Sequence, residues 1–292
     1  MRSFDYIESG KTLLTPHTTS LLAAIHEAKG RQSIQTTIRP DILGTLVAVA
    51  RIQSTDASNR IEGISTSDSR LNDLVSEKVT PRNRNEEEIA GYRDALSVIH
   101  ESHDYIPITP NVILQLHRDL FRHTPLTFAG HFKDSDNVII ERDAHGTSTV
   151  RFAPPSALVT PELIERACSA YTQAIRDGHT DPLLAIAMFI LDFICIHPFN
   201  DGNGRMSRLL TLLMLYRNGY MVGKYISIEH LIEQSKSTYY EALDASTQAG
   251  TTTPMIMRHS RTTCLASYCP RARNSTNASI SRQAAERREH RE

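Results

Sequence analysis

Residues 182–216 constrain the fold more than any other part of the chain. "PLLAIAMFILDFICI" (182–196) is apolar on nearly every side, so a helix formed by it has to be enclosed by others. Asp181 followed by Pro182 gives the start signal, a capping carboxylate and then a residue whose fixed φ suits the first helical turn. A second helical stretch, "RMSRLLTLLMLYRNG", follows at 205–219. Between the two stands "HPFNDGNG" (197–204), rich in polar groups and glycine where the core should continue. The centre of the fold is interrupted by a polar loop.

The same start grammar recurs along the chain. Thr109-Pro110 precedes "NVILQLHRDLF", and Thr160-Pro161-Glu162 precedes "LIERACSAYTQAI", which should stop near Gly178. "NEEEIAGYRDALSVIH" opens on Asn85 with Glu88 three residues later, a capping-box pattern. One stretch reads as β: "NVIIERDAHGTSTVRF" (137–152) places two β-rich runs around Ala144-His145-Gly146, and Pro154-Pro155 then ends the ladder. The expected fold class is therefore all-α, a helical bundle with one β-hairpin. A lone hairpin is barely stable in water, so it either packs on the helices or waits for a partner strand.

Composition narrows the function. Lys+Arg 32 against Asp+Glu 33 gives a formal charge of -1, so the global balance calls for neither nucleic acid nor an anionic membrane. The charge is uneven: residues 251–292 carry eight arginines against three glutamates, with much Ser and Thr and little apolar periodicity, and read as a poorly ordered tail. No apolar run approaches the roughly 20 residues of a membrane span. "MRSFDYIESG" lacks a signal-peptide core, and the chain reads as cytoplasmic. Cys168, Cys195, Cys264 and Cys269 show no metal-ligand spacing, and Cys195, in its apolar setting, is expected to be a buried structural thiol.

Taken residue by residue, the loop reads as a phosphate site. Gly202-Asn203-Gly204 leads into a helix, so backbone N–H groups there can form an anion cradle. Arg205 and Arg208 lie three apart on the first turn of that helix, share a face and can contact different phosphates. Asp201 offers the hard oxygen that Mg²⁺ requires, and His197 is the residue of the loop able to take a proton near neutral pH. Phe199 reads as the apolar plug that seats the loop on the core. Together these groups suit a hydroxyl, deprotonated by His197, attacking a Mg²⁺-bound nucleotide phosphate.

The string HxFxDGNGRxxR, matched in full by "HPFNDGNGRMSR" (197–208), resembles the signature of the Fic family. The resemblance extends over roughly residues 15–250 and implies a helical fold with a β-hairpin flap. It also implies transfer of AMP from ATP to a Ser, Thr or Tyr hydroxyl of a target protein. By it His197 is the base, Asp201 holds Mg²⁺, residues Gly202, Asn203 and Gly204 bind the α and β phosphates, and Arg205 and Arg208 bind the outer ones. The hairpin becomes a flap whose edge, at Val138, Ile139 and Ile140, takes the target as an added strand. Tyr239 and Tyr240 match a position where many relatives contact the base and ribose.

Ser58-Asn59-Arg60-Ile61-Glu62-Gly63, at the end of a helix starting near Pro40-Asp41, matches the family's inhibitory pattern [S/T]xxxE[G/N]. Ser58 and Glu62, four apart, share a helical face, and Gly63 is the expected terminator. In relatives carrying this helix in the same chain, the glutamate pairs with the second arginine of the signature, here Arg208, which puts ATP in a non-productive pose. In some, the same glutamate positions a water for removing AMP. Relatives often tune such inhibition through dimers, so a homodimer joins ATP and a hydroxyl-bearing protein among the implied partners. The expected organisation is an N-terminal helical region (1–95) carrying the inhibitory helix, a catalytic core (96–250) with the flap at 137–153, and the tail. Transfer of another phosphate-containing group, or a non-catalytic interaction module, are the alternatives.

Overall fold

A computed structural model describes residues 4–38, 40–142, 148–176 and 178–235, and for 32–38, 40–42, 139–142 and 148–151 it describes the backbone. The tail, Tyr239, Tyr240, Cys264, Cys269 and the expected Ala144-His145-Gly146 turn lie outside the described residues. The helices are α1 (Tyr6–Leu13), α2 (Pro16–Ile38), α3 (Pro40–Ile61), α4 (Asp68–Val75), α5 (Arg84–Ser102), α6 (Pro110–Leu120), α7 (Thr160–Arg176), α8 (Pro182–Ile196), α9 (Asn203–Arg217) and α10 (Ile228–Gln234). A hairpin of β1 (Ile139–Arg142) and β2 (Ser148–Phe152) interrupts them between α6 and α7. The all-α class with one hairpin holds.

Helix α8 is the axis. Leu184, Met188, Phe189 and Phe193 are all 1% exposed or less, and α7 and α9 pack along it. Asp181 caps its first turn by accepting the Leu183 N–H at 2.9 Å. Asp192, the one charged residue in its middle, accepts the Tyr6 hydroxyl of α1 at 2.7 Å. Such a bond offsets the cost of placing a carboxylate in the core. Helix α9 packs on α8, and its Met206, Leu209, Leu210 and Leu213 are fully buried.

Two local expectations are corrected. The cap of α5 is Asn83, whose side chain accepts the Glu86 N–H at 3.0 Å, and not Asn85. Both registers read Asn-x-x-Glu. Glu88 is drawn instead to Arg84 and Arg205, leaving the earlier asparagine to cap. Thr160 is already helical, because a 3₁₀ turn at Ala157–Val159 feeds α7 directly and the Thr160 hydroxyl donates back to the Ser156 carbonyl. The division at residue 95 falls inside α5, whose Tyr92, Ala95, Leu96 and Ile99 join the same apolar cluster as Tyr6, Leu22 and Phe193. Helices on both sides of that position share one core.

α5 crosses α6 without side-chain clearance at Gly91: a Cβ there would overlap the Leu120 carbonyl. This close approach sets α6, and with it Phe121, against the polar loop. Cys168 and Cys195 are buried, as expected of Cys195. Among the described residues, no helix is long and apolar enough to cross a membrane.

Candidate active site

His197 ends α8. Its backbone is in the left-handed region (φ 50, ψ 63), which turns the chain out of the helix and sends residues 198–202 across the end of α8. Phe199 is fully buried and stacks on the His117 ring at 3.7 Å between centroids, with Phe132 and Phe193 around it. It is the plug that the sequence suggests. Asn203 braces the loop from within: its Oδ1 accepts the Phe199 N–H at 3.0 Å and its Nδ2 donates to the Phe199 carbonyl at 2.8 Å. Both polar groups of the Asn203 side chain are therefore committed to holding the loop in shape. Gly202 caps α9 at φ 81, and a Cβ there would meet Phe121 Cε2 at 2.8 Å, so glycine is required twice over.

His117 of α6 fixes the far side. Gly130 N–H donates to its Nδ1 at 2.9 Å, so Nε2 carries the hydrogen and donates to the Asp201 carbonyl at 3.1 Å. Burial lowers its pKa from 6.5 to about 4, keeping this tautomer neutral. Above it, the Asp201 carboxylate is 47% exposed, with Oδ1 accepting the Gly202 N–H at 2.6 Å and Oδ2 3.7 Å from Arg84 Nη2. The geometry leaves a hard oxygen facing the cradle.

The two arginines point differently. Arg205 is 1% exposed, pairs with Glu88 Oε2 at 2.7 Å and lies over the Phe121 ring. It faces the protein in this state and anchors α9 to α5. Arg208, three residues on, turns toward α3: Nε donates to Ser58 Oγ at 2.8 Å, and Nη2 donates to the Ser58 carbonyl at 2.9 Å and to Glu62 Oε1 at 2.7 Å.

α3 ends where that carboxylate is needed. Ile64 N–H bonds to the Asn59 carbonyl and Gly63 N–H to the Arg60 carbonyl, each at 3.0 Å, with Gly63 at φ 79. This double closure makes Glu62 the capping residue and fixes its direction. A Cβ on Gly204 would overlap Glu62 Oε1, so the carboxylate lies directly on the first turn of α9, where an anion is favoured. Behind it, Tyr92 donates to Glu229 Oε1 at 3.0 Å, and Ser54, Ser227 and Glu229 continue the buried chain from α3 to α10.

His197 sits in a mixed field. Burial lowers its pKa and Lys133 adds to this, while the Ile194 carbonyl, Glu62 and Asp201 act in the opposite sense. The imidazole is thus held toward its neutral, proton-accepting form. On the hairpin, Val138 is 52% exposed just before β1, and Ile139 and Ile140 lie on a strand whose single partner among the described residues is β2. Lys133, Asn137, His117, Glu88 and Arg84 are the groups that sequence reasoning missed. A lysine beside two aromatics in "GHFKD" and a histidine on the apolar face of "LHRDLF" were the signals available for two of them.

Residues 107–215 match the Fic/DOC family, a span that includes the His197 loop, both arginines and the hairpin. The chain carries a Fic/DOC family domain. Over 90 residues it is 37% identical to a Fido domain-containing protein of Dictyostelium discoideum, 30% of this chain and 58% of that protein. Over 145 residues it is 28% identical to the protein adenylyltransferase fic-1 of Caenorhabditis elegans, 47% of this chain and 25% of that protein. The chain thus spans a little over half of one relative and a quarter of the other. The fold is similar to the crystal structure of a Fic family protein from Desulfovibrio desulfuricans G20, with a TM-score of 0.70 at 23% identity, over 90% of this chain and 76% of that one. In this Fic domain, α8, the loop and α9 form the central unit.

Proposed function

We propose that this chain is a protein adenylyltransferase, transferring AMP from ATP to a hydroxyl side chain of a protein, and that Glu62 holds it inactive. The observation that carries the reading is the position of Glu62 Oε1, 2.7 Å from Arg208 Nη2 and against the first turn of α9. A carboxylate placed there competes with a phosphate for the same guanidinium and the same helix N-terminus. The relatives named as protein adenylyltransferases support the chemistry.

In this reading the α9 N-terminus receives the phosphates, and Arg208, once released from Glu62, binds the outermost one. Arg205 keeps α9 in place from its pair with Glu88. His197 takes the proton of the attacking hydroxyl; the hydroxyl oxygen bonds to the α phosphorus, the α–β bridge breaks, and pyrophosphate leaves. Mg²⁺ suits the donor set, since it is commonly held by one or two carboxylates, several waters and phosphate oxygens, and Asp201 offers a half-exposed carboxylate beside the cradle. When bound there with ATP, it would neutralise phosphate charge. The target lies along the hairpin edge at Val138–Ile140, adding a strand through backbone bonds.

The test uses Glu62→Gly protein, a cell lysate, and ATP labelled at either the α or the γ phosphate. Label from the α position alone, with a +AMP adduct by mass spectrometry that is absent with Glu62→Gly/His197→Ala, is the expected result. Transfer of γ label would overturn AMP as the transferred group.

A further inference from the structure

Lys133 is 3% exposed, and its ammonium meets neutral oxygens: the Ile196 carbonyl at 3.2 Å and Asn137 Oδ1 at 3.0 Å. Burial lowers its pKa against a weaker raising effect of Asp136. Hydrogen bonds to neutral oxygens offset only part of the cost of burying an ammonium, and the surroundings indicate what the position serves. Lys133 N–H donates to the Pro198 carbonyl at 2.8 Å, Asn137 Nδ2 to the Phe199 carbonyl at 3.3 Å, and Asn200 Nδ2 to Asp134 Oδ1 at 3.3 Å. The backbone on both sides of His197 is thus held by one short segment, residues 133–137.

That segment leads straight into β1. Asp136 Oδ1 also accepts the Ala157 N–H at 2.7 Å, closing the foot of the hairpin where the chain leaves β2. His197 itself has a left-handed backbone, a conformation that persists in a non-glycine residue when its surroundings over-determine it. The bonds from 133–137 supply that constraint.

We propose that Lys133 is a positioning residue that locks the His197 loop to the foot of the hairpin, so that a hydroxyl on a chain added to the hairpin edge arrives in fixed register with the imidazole. This rests on the adenylyltransferase reading for the identity of the acceptor, while the coupling of Lys133 to His197 stands on the resting geometry. The ammonium also acts on His197 as a like charge, opposed by Glu62 of the α3 cap and by Asp201 of the loop. Removing it should let the imidazole keep its proton to higher pH.

The test compares the full chain with Lys133→Met and Lys133→Arg. The His197 ring is titrated by NMR without nucleotide or target, and transfer is then followed against pH in the Glu62→Gly background. For Lys133→Met the expected results are a His197 midpoint moved to higher pH, an acid limb of kcat/KM moved the same way, and a lower kcat; Lys133→Arg should restore the midpoint. An unshifted midpoint in folded Lys133→Met overturns the proposal. Should that variant fail to fold, Asn137→Ala keeps the charge but loses two of the ties, and is expected to lower transfer with the acid limb unmoved. Unchanged transfer by Asn137→Ala also overturns the proposal. A shifted midpoint with no transfer by Glu62→Gly supports the coupling and defeats the adenylyltransferase reading. Transfer with an unshifted midpoint does the reverse.

Discussion

Gly91→Ala should destabilise the protein although alanine is the better helix former. In an exposed helix the exchange gains about 1 kcal/mol. Here the new Cβ would overlap the Leu120 carbonyl oxygen and stand 2.7 Å from Leu120 C and 3.3 Å from the Asp119 carbonyl oxygen, where ordinary contact begins at 3.4 Å. These are backbone atoms of α6 and cannot rotate away, so the helices have to separate. Overpacking of this kind costs about 1–3 kcal/mol, and more where backbone moves. Because backbone has to move, the upper end of that range applies, and deducting the propensity gain leaves a net loss of about 2 kcal/mol. The displacement also reaches the site, because Leu120 and Phe121 are the atoms against which Gly202 turns. Urea unfolding followed by circular dichroism measures the effect, with a lower midpoint at unchanged slope as the expected result. A midpoint equal to or above wild type would refute the close crossing of α5 and α6 and the placement of the loop that depends on it.

Other consequences are open to similar measurements. His117 and His100 are both lowered from 6.5 to about 4 by burial, so the unfolded chain binds more protons between those values. Stability should therefore fall as pH drops from 6.5 toward 4, by up to about 3 kcal/mol for each histidine, and urea midpoints independent of pH across that window would contradict their buried neutral state. Glu88→Gln leaves the Arg205 guanidinium buried without its carboxylate, a loss of about 3–5 kcal/mol, and a denaturation midpoint near wild type would show that this pair does not anchor α9. Ser58→Ala removes the hydroxyl that accepts from Arg208 Nε, so transfer should rise several-fold, on the order of 1 kcal/mol, and by less than in Glu62→Gly. Transfer unchanged from wild type would separate Ser58 from inhibition.

The legible part of the site was the part whose geometry is local. Gly202 and Gly204 follow from a loop that must both turn and leave room for a carboxylate or phosphate, whereas Glu62 was singled out by the family resemblance, with Gly63 as the terminator that local helix grammar predicts. What stayed hidden depends on distant partners. The burial of Arg205 depends on Glu88, one of three successive glutamates, and nothing local says which of them faces α9. Asn83 and Asn85 carry the same capping pattern, and the choice is made by the arginines that claim Glu88. Lys133 and His117 act on carbonyls at 196 and 201, which carry no residue-specific signal. The apolar face of α5 likewise does not reveal that helices on both sides of residue 95 complete the same core.

The account turns on Glu62 occupying Arg208. Its most direct test is the rate at which α-labelled ATP labels protein for wild type, Glu62→Gly and Glu62→Gly/Arg208→Ala at equal concentration. A charge-assisted bond of this kind is worth about 1.5–3 kcal/mol, so release should raise the rate at least about tenfold in Glu62→Gly, and the added Arg208→Ala should abolish the gain. Equal labelling by wild type and Glu62→Gly would contradict the account.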